Sequence, residues 1–136
     1  MLNSIKVSDY MAASLTTFKP DMEMREAINH LVDKRISGAP VVDDHGNLVG
    51  VLSEQDCMKV ALSAGYHGDY GGLVKDYMNT RVTTIDAETS ILKLAQLFID
   101  APYRRYPVLQ NNRLVGQVSR RDVLRALKSI ARSTAA

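Results

Sequence analysis

Slid along itself, the chain matches itself at one offset. At a displacement of 67, Val7-Ser8-Asp9-Tyr10-Met11 falls on Val74-Lys75-Asp76-Tyr77-Met78, Thr16-Thr17 on Thr83-Thr84, Asp33 on Asp100, and Pro40-Val41 on Pro107-Val108. One residue is then lost in a polar turn. At 66, Leu48-Val49-Gly50 meets Leu114-Val115-Gly116, Ser53 meets Ser119, and Asp56 meets Asp122. Such self-similarity means that one supersecondary unit is used twice. A unit of roughly 55 to 60 residues without disulfides or metal is marginal alone, because it buries too small a fraction of its surface. Two copies in one chain remedy this. The repeats are expected at 1–64 and 74–136, joined by a glycine-rich linker at 65–73 (Gly65-Tyr66-His67-Gly68-Asp69-Tyr70-Gly71-Gly72).

Each repeat reads as β-α-β-β-α. A short extended run, Ser14–Phe18 or Arg81–Ile85, precedes a helix that Asp21 caps in the first copy and Thr89 or Asp86 in the second. Apolar spacing puts Met24, Ile28, Leu31 and Val32 on one helix face, and Ile91, Leu94, Ala95, Phe98 and Ile99 on the other copy's. A hairpin follows, Ala39–Val42 with Leu48–Leu52 in the first copy and Pro107–Leu109 with Leu114–Val118 in the second. Helices at Glu54–Ser63 and Arg120–Ala131 close the units. The expected fold class is α/β (α+β), with two pseudo-symmetric repeats packed sheet to sheet and clefts lined by both copies, which are natural ligand sites.

Apolar residues make up 46% of the chain and charged ones 24%, the composition of a globular protein. No run approaches the ~18 apolar residues of a membrane span, and the first residues lack the basic-then-apolar pattern of a secretory signal. The single cysteine, Cys57, excludes an internal disulfide or multi-cysteine metal site and points to a reducing compartment, so a cytoplasmic location is expected. It reads as a small buried residue. His30, His45 and His67 are scattered, and no metal site is expected. With no nucleophile–base pair, metal cluster or phosphate-activating loop, neither an enzyme nor a required cofactor is expected. Residues 1–64 carry six basic against nine acidic side chains, and residues 65–136 carry eleven against six. This asymmetry suits either an anion site in the second half or ordinary surface charge.

The strand-to-helix junctions, Gly50-Val51-Leu52-Ser53-Glu54-Gln55-Asp56 and Gly116-Gln117-Val118-Ser119-Arg120-Arg121-Asp122, carry the chemistry. Serine followed three residues later by an acidic residue at a helix start resembles a capping box, and one such motif alone would mean only that. Here it occurs twice, and the second copy adds Arg120 and Arg121 in the first turn. Cations are disfavoured there by about 0.3 to 1 kcal/mol, which an anion in front of the helix would offset. The first copy has Glu54 and Gln55 instead, so the two sites should differ, the second binding the more tightly and the first binding polyphosphates weakly, staying empty or taking a less charged ligand.

The doubled pattern resembles a tandem pair of cystathionine β-synthase (CBS) domains, a Bateman module. The resemblance rests on the V-x-D-x-M lead-in, the Pro-Val strand and the G-φ-φ-[ST]-x-x-D junction (φ apolar), and runs from Val7 to Leu127. Copy two departs from it in having Leu109-Gln110 where Val-Asp is common. The resemblance implies binding of adenosine-containing ligands (AMP, ADP, ATP, S-adenosylmethionine or NAD(H)) in the inter-repeat clefts, and pairing into homodimers. In the main cleft it implies Asp122 on the ribose hydroxyls, Ser119 beside ribose or phosphate, Arg104, Arg105 and Arg121 on phosphate, and the base near Thr16, Thr17, Ile36, Ser37 and Ala39. In the weaker cleft it implies Ser53, Asp56, Thr83, Thr84 and Tyr103. An ionised carboxylate, acceptor only, suits two adjacent hydroxyl donors.

The expected function is therefore an adenine-nucleotide sensor that signals to an unidentified partner protein. The alternative is a ligand-independent dimerisation scaffold. Tyr103-Arg104-Arg105-Tyr106 also suits nucleic acid, but the stretch is short and the net charge only +2. Met22, Met24, Val123, Leu124, Leu127 and Ile130 serve either the core or a dimer contact.

Overall fold

A computed structural model of the chain describes residues 1–67 and 71–135, with side chains at 1–63 and 71–132. Of the expected linker, Gly68, Asp69 and Tyr70 lie outside the described residues, while Gly65, Tyr66 and His67 prolong a helix.

The first copy consists of α1 (Met24–Lys34), β1 (Gly38–Val42), β2 (Leu48–Ser53) and α2 (Glu54–His67). The second consists of β3 (Ile85–Asp86), α4 (Ile91–Asp100), β4 (Arg105–Gln110), β5 (Arg113–Ser119) and α5 (Arg120–Ala135). Between them lies the short helix α3 (Val74–Tyr77), matched near the N-terminus by a 3₁₀ turn at Val7–Asp9. Strands β1 and β2 pair antiparallel, as do β4 and β5, and β3 adds a parallel strand beside β4. In the first copy the strand corresponding to β3 shrinks to one parallel bridge, Phe18 with Val41.

The chain divides into two compact units that are offset from the sequence repeat. Thr16–Val82 forms one, and Met1–Leu15 with Thr83–Ala136 forms the other. Each V-x-D-x-M segment thus completes the other copy's unit. The motif can be read residue by residue. Val7 and Val74 are fully buried. The Asp9 carboxylate accepts from the Lys6 N–H (3.0 Å) and that of Asp76 from the Leu73 N–H (3.0 Å), tying off the short helical turns. Met11 and Met78 lie over Gly116 and Gly50, where a Cβ would sit 2.6 and 2.7 Å from the methionine sulfurs. Beyond the methionines, Ala12 exchanges backbone hydrogen bonds with Gln117 (2.8 and 2.9 Å), and Asn79 does so with Val51 (2.9 and 3.0 Å). The glycine that opens each junction is therefore the floor on which a lead-in crosses the strand.

Backbone just ahead of each lead-in also sets where the first helix of each unit begins. The N–H of Met24 donates to the Gly72 carbonyl (3.0 Å) and that of Ile91 to the Ile5 carbonyl (2.8 Å). The predicted caps are corrected accordingly. Helix α1 starts after Glu23 with no side-chain cap, not at Asp21. Helix α4 is capped by Ser90, whose Oγ accepts from the Lys93 N–H (3.1 Å), not by Thr89 or Asp86. The Thr89 carbonyl instead receives the Val7 N–H (2.8 Å), and Asp86 holds the Glu88 N–H (2.8 Å). Helix α4 stops at Asp100 because Ala101 precedes Pro102 and adopts extended backbone. Helix α1 runs on to Lys34 and ends on Arg35 in the left-handed region (φ 55°).

Met24, Ala27, Leu31, Val41, Leu52, Cys57, Val60 and Val74 sit in one core, and Val7, Ile91, Leu94, Phe98, Tyr106, Val108, Val118, Val123 and Ala126 in the other. Two residues placed on the inner helix faces by spacing, Val32 and Ile99, are exposed. Each lies at the edge of the apolar stripe, in the last turns of its helix. Of the residues left between core and dimer contact, Met24 and Val123 are core, whereas Leu124 and Leu127 are exposed.

Candidate functional site

In each unit the second hairpin strand runs without a loop into a helix, and serine is its last residue. At the first junction the Ser53 N–H and hydroxyl both donate to Asp56 Oδ2 (2.9 Å each), while the Asp56 N–H donates back to Ser53 Oγ (3.2 Å). At the second, the Ser119 N–H (2.9 Å) and hydroxyl (3.2 Å) donate to Asp122 Oδ2. The capping reading is thus realised at both places. It uses one carboxylate oxygen of each aspartate.

The other oxygen differs between them. Asp122 Oδ1 accepts from Arg125 Nη1 at 3.0 Å, an ion pair one helical turn along. Arg125 is further held by the Tyr10 carbonyl (3.4 Å) and lies over the Tyr10 ring, 5.5 Å from its centroid. Asp56 Oδ1 has no protein partner among the described residues; Lys59, at the position equivalent to Arg125, is exposed and makes no ion pair with it. The sequence reading missed Arg125. Its signal was the Asp-x-x-Arg spacing that lets the two side chains meet on a helix.

The loop ahead of the first hairpin strand adjoins the junction in both units. The Ser37 carbonyl accepts the Glu54 N–H (2.9 Å) and the Arg104 carbonyl the Arg120 N–H (3.3 Å). Gly38 is register partner to Ser53 and Arg105 to Ser119. The fold therefore gathers Arg104, Arg105, Arg120 and Arg121 around Ser119, all four exposed. The anion-attracting set predicted for the second copy is one local cluster. Ser37 and Ala39 fall beside Ser53 in the first unit, Ala39 buried and Ser37 exposed. Ile36 packs against that core, and Thr16 Oγ1 accepts from Lys34 Nζ (3.2 Å), with Thr17 exposed. In the second unit Thr83 is exposed, Thr84 half-buried, and Tyr103 45% exposed beside the buried Tyr106 (ring centroids 5.5 Å apart).

Cys57 is buried behind Asp56, and its thiol is pushed up from its ordinary value by burial first, then by the Asp56 and Glu54 charges. No group of three or more His, Cys, Asp or Glu gathers among the described residues to hold a metal.

A twice-used β-α-β-β-α unit with a Ser-x-x-Asp strand-to-helix junction in each copy defines a class, and the chain belongs to it: the CBS domain family, matched at residues 7–63 and 74–129. Among its relatives is the chloroplastic CBS domain-containing protein CBSX2 of Arabidopsis thaliana, 28% identical over 94% of this chain and 66% of the relative's length. Another is the uncharacterized protein MJ1225 of Methanocaldococcus jannaschii, 27% identical over 90% of this chain and 43% of its own. The chain spans less than two thirds of either relative. A crystal structure of CBSX2 in complex with AMP matches with a TM-score of 0.81 and 31% identity, covering 93% of this chain and 98% of that one.

Proposed function

We propose that this chain is a non-enzymatic sensor of adenosine-containing ligands, AMP foremost, which passes its state of occupancy to a partner protein. On this reading Asp122 and Asp56 accept from ribose hydroxyls, and Arg104, Arg105 and Arg121 neutralise phosphate at the second junction. The observation that carries it is the division of labour within each aspartate. Capping the helix takes Oδ2 alone, which leaves further acceptor capacity on Oδ1, shared with Arg125 at Asp122 and without a partner among the described residues at Asp56. The AMP complex of CBSX2 supports the choice of ligand class.

The test is a thermal-shift and calorimetric screen with AMP, ADP, ATP, S-adenosylmethionine and NADH. A ligand at 100 times its Kd should stabilise the protein by about 2.7 kcal/mol, and Asp122→Ala should remove part of that shift. Failure of every ligand to bind overturns the reading. No helix of the described residues is long and apolar enough to cross a membrane, and a cytoplasmic location belongs to the same proposal.

A homodimer is also proposed, from Met58 and Leu62 on α2 and Leu124 and Leu127 on α5, which are 44 to 68% exposed. Large apolar side chains grouped on helix faces are characteristic of association surfaces. Light scattering that finds only the 15.0 kDa monomer at micromolar concentration overturns it.

A further inference from the structure

We propose that Arg125 sets the ligand preference of the two junctions apart, by occupying an acceptor position that the ribose would otherwise use at Asp122 and that stands open at Asp56. The inference rests on the ribose reading given above, and the experiment separates the two.

An ionised carboxylate offers about four lone-pair sites, two on each oxygen. At Asp56 the Ser53 N–H and hydroxyl fill Oδ2, and both sites on Oδ1 are open among the described residues. At Asp122 the Ser119 N–H and hydroxyl fill Oδ2 in the same way, and Arg125 Nη1 takes one site on Oδ1. A ribose presents two neighbouring hydroxyls. Asp56 has room for both donors, and Asp122 has room for one unless Arg125 lets go.

Arg125 is not held by the aspartate alone. Its guanidinium also donates to the Tyr10 carbonyl and lies over the Tyr10 ring. Tyr10 belongs to the lead-in, so the blocking contact is built into the unit. Lys59 has a flexible point charge instead of a planar fork, a difference that matters for directed contact with a carboxylate. The matching tyrosine, Tyr77, is packed on Gly72, its ring within 2.8 Å of where a Cβ would stand. First-turn arginines and the ribose acceptor thus favour opposite junctions. Phosphate charge draws a ligand to Asp122, while an unphosphorylated cis-diol is accommodated in full only at Asp56.

Adenosine is the probe, because it is uncharged and salt does not screen its own binding. Isothermal calorimetry of the full chain with Asp56→Ala reports the Asp122 junction, and with Asp122→Ala the Asp56 junction. Adenosine should bind more tightly to the Asp122→Ala protein. Arg125 is 59% exposed, so its hold on Asp122 is of the size of a screened surface pair, worth roughly two- to fivefold in affinity. Adding Arg125→Gln to Asp56→Ala should therefore tighten adenosine binding by about that factor. A second measurement leaves Arg125 in place. Raising salt from 0.05 to about 0.5 M shortens the screening length and should tighten adenosine binding to Asp56→Ala while leaving Asp122→Ala unchanged. 2′-Deoxyadenosine should lose more affinity at the Asp56 junction than at the other. If adenosine binds and neither Arg125→Gln nor salt alters its affinity at Asp122, this inference is overturned and the ligand reading stands. If neither adenosine nor AMP binds any of these proteins, the ligand reading falls and takes the inference with it.

Discussion

Gly116 and Gly50 look interchangeable in the sequence, yet the structure ranks them. A Cβ on Gly116 would stand 2.8 Å from the Ala12 carbonyl oxygen as well as 2.6 Å from the Met11 sulfur, whereas the corresponding backbone oxygen at Gly50 is 3.0 Å away. A methionine tip can move aside, but a paired backbone cannot do so cheaply. Gly116→Ala should cost about 1 to 3 kcal/mol by overpacking, and Gly50→Ala less, as measured by urea denaturation. Cys57 offers a second test. With its thiol held neutral by burial and by Asp56 and Glu54, alkylation by iodoacetamide at neutral pH should be slow until the protein unfolds. The raised folded value also fixes a sign. As pH climbs past the ordinary thiol value of about 8.5, the unfolded chain releases this proton first, so stability should fall through that window. Cys57→Ala should lose that slope. An unchanged slope would show that another group controls the alkaline limb.

Helix α1 shows what the sequence could and could not reveal at the next scale. Its period, its partner hairpin and its place in the repeat were all legible, because local apolar spacing and self-similarity encode them. Its start was not. Asp21 is a good capping residue, but Met24 is reached by the Gly72 carbonyl, some fifty residues away. A helix end satisfied by distant backbone leaves no local mark. The exposed Val32 and Ile99 were misplaced for a related reason, since helical spacing gives the centre of a buried stripe better than its margins. At the junctions, by contrast, repetition and the ill-suited first-turn arginines made the serine–aspartate pairs and the arginine cluster legible. Arg125 escaped because both copies carry a basic residue at this position, Lys59 and Arg125, and only the folded geometry shows that the arginine alone pairs with its aspartate. The far end of α1 yields a prediction. Arg35 holds the left-handed conformation (φ 55°) that glycine adopts without steric cost. Arg35→Gly should therefore stabilise the first unit by up to about 1 kcal/mol, read from its urea midpoint.

For the molecule as a whole, the lead-ins decide which residues depend on which. Removing residues 1–12 takes Val7 from the core of the second unit together with Met11 and the Ala12 bridge. A fully buried aliphatic side chain is worth about 1.5 to 3 kcal/mol. Amide exchange in β4 and β5 should accelerate strongly after this deletion, and exchange in β1 and β2 much less. Equal acceleration in both hairpins would mean that the N-terminal segment supports the chain in some other way.

The offset between repeat and unit also imposes an order in time. Every residue of the first unit has been synthesised once Val82 is added, because Thr16–Val82 is one continuous stretch. The second unit waits for β4, β5 and α5, which are made after the first unit, while its Met1–Leu15 segment has been made before any of that unit. At ribosomal rates of about 5 to 20 residues per second, Val7 and Met11 spend several seconds as exposed apolar side chains without the core that will receive them. Nascent chains stalled shortly after Val82 has left the ribosomal tunnel should resist protease across β1 and β2, yet be cut within the first twelve residues. A chain released prematurely at that stage would present the same unpaired segment to whatever else is at hand, a chaperone or a second truncated copy.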